Sequence, residues 1–291
     1  IIYKFSKKRT KPNDSYFLLL SAITQLLILG FKDFAVVNST VELTKNKKIL
    51  ASPHFINGIL RNIIRNKIKL LKISAEFSLL PNWFQKRIIW SKQQQKYFLK
   101  TISEEPDIHL VFKKKIYINN INYKIIKTTD HSGIIKNDCL IKDFEDYKKG
   151  TWWVQDFSSM LPIYLLNNIK NKTVADLCAA PGGKTLQLLT RGALVTSFEK
   201  NPIRTNLLKE NLKRLNFNSA IITKDVLSIN YKKKFNIVVL DSPCSSIGTI
   251  RRNPEIFFRN KGPNFKKIKS SQEILLNKSK NILKKKGIII Y

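Results

Sequence analysis

The chain has 291 residues, with 53 Lys and Arg against 20 Asp and Glu, and a formal net charge of +33. That length allows two or three domains with sizeable cores, and the charge calls for a polyanionic partner, most simply a nucleic acid, although a surplus of Lys, Ile and Asn is also what an AT-rich gene encodes. The three cysteines, Cys139, Cys178 and Cys244, lie far apart, so no C-x-x-C zinc or dithiol pair and no disulfide framework exist, and a reducing cytoplasm fits.

Residues 1–72 read as all-helical. Asn13 or Asp14 can cap a first helix that runs to about Leu29 and ends at Gly30. The apolar run inside it, Tyr16–Gly30, is too short for a bilayer and carries Ser21, Thr24 and Gln25, so a buried helix is expected and no membrane partner. A second amphipathic segment covers Val36–Lys45. A third, Pro53–Lys69, sets Phe55, Ile59, Ile63 and, less regularly, Ile64 on one side. Arg61, Arg65, Lys67 and Lys69 fall mostly elsewhere, which alone marks a solvated face.

Residues 73–149 read as a small α+β segment. Leu80-Pro81-Asn82-Trp83 opens a helix-like stretch to about Leu99. Val111–Ile118 and Tyr123–Lys127 alternate like strands, and Asp130–Gly133 reads as a turn. His54, His109 and His131 lack metal-ligand spacing and are expected to be structural or surface residues, with no metal site.

Residues 150–291 form the last domain, opened by GTWWVQDFSS. Trp152 and Trp153 are expected in the core rather than stacked on bases. Asp156 or Ser158 caps a helix to about Asn168. Strands then follow at Thr173–Leu177, Leu194–Phe198, Ala220–Thr223, Asn236–Leu240 and Gly287–Tyr291. Between them lie helices at Lys184–Thr190, at Ile203–Leu215 with Pro202 in its first turn, and at roughly Ile268–Lys285. This alternation predicts a parallel sheet covered by helices on both faces, with a ligand at the C-terminal strand ends.

The first such end carries Cys178-Ala179-Ala180-Pro181-Gly182-Gly183-Lys184. Small residues there let a ligand approach the backbone, and the helix start offers unpaired N–H groups. Gly183-Lys184-Thr185 matches the end of a nucleotide P-loop. However, that motif's first glycine falls on Cys178, and Pro181 stiffens the loop. Three acids stand at the next strand ends. Glu199 is placed for ribose hydroxyls, Asp225 for an adenine edge, and Asp241 closes the fourth strand. Asp241-Ser242-Pro243-Cys244-Ser245-Ser246 then puts a candidate reactive thiol near Arg251 and Arg252.

Together, DLCAAPGGKT, the acid of SFEKNP, the DSPCSS box and GTIRRNPEI resemble the RNA 5-methylcytosine methyltransferases, of the Sun/Fmu type that acts on bacterial small-subunit rRNA. LILGFKDFAVVNSTVELTK followed by FINGILRNIIR resembles the C-terminal half of a NusB-type RNA-binding domain, which that type also carries. The resemblance implies a Rossmann-like core that uses S-adenosylmethionine, preceded by a partial NusB-like domain and the α+β segment. It places Cys178–Lys184 around the cofactor, Glu199 on its ribose, Asp225 by its adenine, and Asp241 near its methionine end and the target base. It makes Cys244 the cysteine of product release and puts Arg251 and Arg252 on RNA. Ser242 stands where the family usually has Ala. The family's attacking cysteine sits in a Thr-Cys box just after the fifth strand, so a chain truncated at both ends, monomeric and inactive as it stands, is expected. The alternatives are a non-catalytic RNA-binding protein and a P-loop-like NTPase.

Overall fold

The computed structural model describes residues 1–5, 13–46, 51–73, 75–115, 124–135, 141, 144–231, 234–259 and 261–291. Cys139 and the parts of two expected strands at 116–118 and 123 lie outside these residues. The chain divides into two compact units, Ile1–Leu79 and Leu80–Tyr291.

The first unit is helical: α1 (Ile2–Phe5), α2 (Asp14–Leu27), α3 (Asp33–Leu43), α4 (Pro53–Arg65) and α5 (Lys67–Leu71). Asn13 is the cap of α2, its side chain accepting from Tyr16 N at 3.0 Å, and Asp14 starts the helix. The single third helix expected from the sequence is two, because Asn66 leaves helical geometry between α4 and α5. Ile56, Ile59, Leu60 and Ile63 of α4 pack against Leu19, Ala22, Ile23 and Leu26 of α2 and Val36 and Val37 of α3. That 3,4 spacing is one helical stripe, and it leaves Arg61 and Arg65 exposed.

The second unit opens with α6 (Asn82–Gln85) and α7 (Lys92–Ser103), two helices where the sequence suggested one stretch. A capping box between Ser91 and Gln94 starts α7 afresh. An antiparallel sheet follows, of order β2-β3-β1-β4, from β1 (Ile108–Phe112), β2 (Ile126–Thr129), β3 (Ser132–Ile135) and β4 (Trp152–Val154), with α8 (Glu145–Lys148) before β4. The turn is tighter than expected, so Ser132 and Gly133 already belong to β3. Trp152 and Trp153 are both buried, on opposite faces of β4, as the core reading required.

The remaining elements are α9 (Phe157–Tyr164), β5 (Thr173–Leu177), α10 (Gly183–Thr190), β6 (Leu194–Phe198), α11 (Pro202–Arg214), β7 (Ala220–Ile222), β8 (Phe235–Leu240), α12 (Phe265–Asn281) and β9 (Leu283–Ile290). All four strand pairs are parallel, in the order β7-β6-β5-β8-β9. Val174, Val195, Ile237 and Val239 face Ile163 of α9 and Leu188 of α10. Their neighbours Ala175, Leu177, Phe198, Val238 and Leu240 face Leu275 of α12. With both faces covered, the inner strands are mostly apolar rather than alternating. β9 begins at Leu283, four residues before the expected Gly287. Lys284, Lys285 and Lys286 hide it from an apolar-run reading, yet all three are exposed at the sheet's end. Strand order reverses between β5 and β8, and that opens a crevice at their C-terminal ends.

The two sheets of this unit are tied at the end of α11. Arg214 Nη1 donates to Tyr147 O at 2.8 Å and Trp152 O at 3.1 Å, and its guanidinium lies 3.9 Å from the Tyr147 ring centre. Gly150, at φ +68°, passes so close that an added Cβ would lie 2.0 Å from Arg214 O. Gly150→Ala is expected to destabilise this unit by roughly 3 kcal/mol, the sum of a left-handed Ala and a backbone clash. Urea denaturation checks this, and an unchanged midpoint would refute it.

Candidate active site

The two loops at the crevice are built by β5 and β8. After β5, Cys178 turns the chain at φ +61°. Ala179 N donates to Phe198 O at 3.0 Å. Helix α11 holds the loop from outside, Arg204 donating to Ala180 O and Asn211 Nδ2 to Pro181 O at 3.0 Å. Gly182 stands at the N-cap of α10 with φ +112°, and a Cβ there would meet Leu208 Cδ1 at 2.6 Å. Only glycine fits that position. As at any helix start, the first N–H groups of α10 have no acceptor within the helix.

Glu199 follows β6 and is buried. Its Oε1 accepts from Asn201 N at 3.0 Å. Its Oε2 has no hydrogen-bond partner among the described residues and lies 3.6 Å from Arg204 Nη1. A buried carboxylate oxygen goes without a hydrogen-bond donor only at a cost, unless a ligand donates to it. Asp225 stands beyond β7, where one oxygen is already used: Oδ1 accepts from Leu227 N at 3.0 Å, closing a turn.

Asp241 directly follows β8. Its Oδ2 pairs with Lys184 Nζ at 2.7 Å, and the same amine donates to Ser159 Oγ at 3.1 Å. This ties the loop after β5 to the loop after β8. Cys244 is exposed three residues on, its Sγ accepting from Ser246 N at 3.4 Å. Gln272 of α12 donates to Pro243 O at 3.1 Å and steadies that turn.

The other cysteine of the crevice differs. Burial pushes the Cys178 thiol up to about 11, with Glu199 and Asp176 adding to it. At neutral pH it stays a thiol, which suits a loop wall and not a nucleophile.

Arg251 and Arg252 have partners within this unit. Arg251 donates to Glu104 O at 3.4 Å and Glu105 O at 3.2 Å. Arg252 donates to Asp107 O at 3.1 Å and pairs with Asp156. Both guanidiniums therefore clamp the chain after Cys244 onto the segment between α7 and β1.

Asp176 of β5 gives no signal in the sequence beyond its place in the strand. It is fully buried beneath α10, its Oδ2 accepting from Thr185 Oγ1 at 2.5 Å and its Oδ1 lacking a partner among the described residues. Burial raises its pKa from 3.8 to about 7, against the pull of Thr185 and Lys184. Between those values the native state holds a proton that the unfolded state has lost, so this group makes stability fall as pH rises. Asp176→Asn abolishes that fall. The variant is expected to gain on the wild type by about 1 kcal/mol per pH unit from pH 5 to 7 and no further above it. Urea denaturation at pH 5, 6, 7 and 8 checks this, and a constant gap would refute it.

The residues around the crevice suit a nucleoside with a short charged tail. They offer a helix start, a glycine that nothing larger can replace, and a buried carboxylate oxygen in want of a donor. Doubly wound order and this site define a Rossmann-like, S-adenosylmethionine-dependent methyltransferase core.

Comparison with known proteins agrees. Residues 163–291 match the 16S rRNA methyltransferase RsmB/F family, and residues 1–65 match the NusB family. The chain carries an RsmB/F-family (Sun/Fmu) methyltransferase domain behind a NusB-family domain. It is 28% identical to ribosomal RNA small subunit methyltransferase B of Photorhabdus laumondii, over 97% of this chain and 70% of that protein. The protein of the same name from Serratia proteamaculans is 26% identical over the same shares. A methyltransferase homologue from Pyrococcus horikoshii shares the fold, with a TM-score of 0.57 at 24% identity over 72% of this chain and 70% of that one. The NTPase alternative finds no support in these matches. No helix among the described residues is long and apolar enough to cross a membrane.

Proposed function

We propose that the protein carrying this sequence methylates C5 of a cytosine in small-subunit rRNA. The observation that carries this reading is the Lys184–Asp241 pair, which joins a cofactor loop to a loop bearing the exposed Cys244. The names of the relatives supply the RNA class. S-adenosylmethionine, when bound, supplies an electrophilic methyl group.

Within this chain, Cys178–Lys184 line the cofactor, Glu199 accepts from its ribose hydroxyls, and Asp225 turns its second oxygen toward the adenine. Asp241, held by Lys184, faces the methionine end and the target base. Cytosine C5 is a weak nucleophile. The thiolate of the family's Thr-Cys cysteine would add to C6 and move an electron pair onto C5, which takes the methyl group. A base then removes the C5 proton, the C6–S bond breaks, and the thiolate returns. Cys244 acts in that release step. The chain contains Pro-Cys at this place and no Thr-Cys dipeptide. The helical domain of residues 1–72 serves RNA binding, the segment 73–149 links it to the methyltransferase core, and the protein works as a cytoplasmic monomer.

The test is transfer of labelled methyl groups to small-subunit rRNA, read as 5-methylcytidine, by a protein that carries this sequence together with the Thr-Cys cysteine. In a protein that joins this sequence to the family's Thr-Cys cysteine, Cys244→Ala is expected to accumulate a covalent RNA–protein adduct, since addition survives and release does not. Methylation of another atom, or of no RNA, would overturn the proposal.

A further inference from the structure

The segment Gln155–Ser159 touches the loop after β5 and the chain that follows the Cys244 loop. Asp156 occupies the N-cap position of α9 yet makes no cap hydrogen bond with its side chain. Carboxylates at that position ordinarily accept from the first turn. This one turns away and pairs with Arg252, eight residues past Cys244. Gln155 is buried and presses on the other loop, where a Cβ on Gly183 would lie 3.3 Å from its Cδ.

The Gln155 amide is fixed on both sides. It accepts from Trp153 Nε1 at 2.8 Å and donates to Gln187 Oε1 at 3.2 Å, and Gln187 Nε2 donates to Met160 O at 2.9 Å. Its backbone is fixed too, with N donating to His109 O at 3.1 Å and O bonded to His109 Nδ1 at 2.6 Å. Burial lowers the His109 pKa, which keeps the ring neutral at pH 7. Ser159 accepts from Lys184, the amine that holds Asp241.

We propose that Gln155–Ser159 is a strap that sets the Cys244 loop against the cofactor loop, with Asp156 as a positioning residue acting through Arg252. The proposal rests on the methyltransferase reading of the crevice. A half-exposed ion pair adds little to stability, so a carboxylate that gives up a helix cap for one serves placement better than folding. Rigid support of this kind is what holds reactive groups within tolerance.

The experiment measures the rate at which iodoacetamide alkylates Cys244, followed by peptide mass spectrometry, beside calorimetric binding of S-adenosylmethionine. Asp156→Asn and Arg252→Gln are each expected to change the Cys244 rate by about fivefold or more, and the double variant by no more than either, as for two groups acting as one unit. Arg252→Lys, which keeps the charge but not the second bond to Asp107 O, should fall between. Cofactor affinity and melting temperature should stay near wild type. A wild-type alkylation rate in both single variants, or additive effects in the double, would overturn the strap. So would a change in Cys244 rate that only tracks a lowered melting temperature. If the wild type itself fails to bind S-adenosylmethionine, the methyltransferase reading falls instead, and the alkylation comparison still decides the strap.

Discussion

Between 50 and 200 mM salt, affinity for structured small-subunit rRNA is expected to fall by about a thousandfold or more. A protein that neutralises six to ten phosphates with Lys and Arg releases as many counterions, and falls of roughly that size follow. The formal charge of +33 supplies ample cations. Which of them matter is now narrower than the sequence suggested. Arg251 and Arg252 spend their donors on Glu104, Glu105, Asp107 and Asp156, so their removal should disturb the Cys244 loop more than the salt slope. Arg61 and Arg65 are exposed one turn apart on α4, and they line a groove with Asn38 and the exposed ring of Phe34. Arg61→Gln with Arg65→Gln should lower the slope by about one to two. Filter binding across a salt series measures it. A slope near zero in the wild type would end the electrostatic account.

Glu199→Ala is expected to weaken S-adenosylmethionine binding by about tenfold to a hundredfold, the range for losing hydrogen bonds to a charged group. The Oε2 atom, which accepts no hydrogen bond from the described residues, is the reason to expect the upper part of that range. It has only an ion pair with Arg204 at 3.6 Å, whereas Oε1 is already held by Asn201 N. Asp225→Ala should cost less, because one of its oxygens closes the turn before Leu227. Equal affinities for wild type and Glu199→Ala would remove Glu199 from the site.

The central sheet was legible because its strands bury both faces. Thr173–Leu177 and Leu194–Phe198 are short, largely apolar segments bounded by turn residues, and they stand where the sequence put them. The edge strand β9 was legible only in its apolar half. Its first turn of sequence, Leu283 to Lys286, is mostly charged, and an outer strand tolerates charge where an inner one does not. β3 and β4 were missed for shortness: SGII and WWV carry too few residues for a period of two. The loops that form the crevice were legible as motifs. Their connections were not, since Asp156 meets Arg252 across 96 positions and Arg251 meets Glu104 across 147. Asp176 escaped because a buried acid inside an apolar run looks like any strand residue until its neighbours Thr185 and Ser197 are in place.

The most direct test of the account is a pair of calorimetric titrations of the unmodified protein, one with S-adenosylmethionine and one with ATP–Mg²⁺. The crevice offers a buried carboxylate for a ribose and a loop in which Cys178 and Pro181 break the phosphate cradle. Saturable one-to-one binding of S-adenosylmethionine, with no heat from ATP–Mg²⁺, is the predicted result. Binding of ATP–Mg²⁺ without S-adenosylmethionine would contradict it.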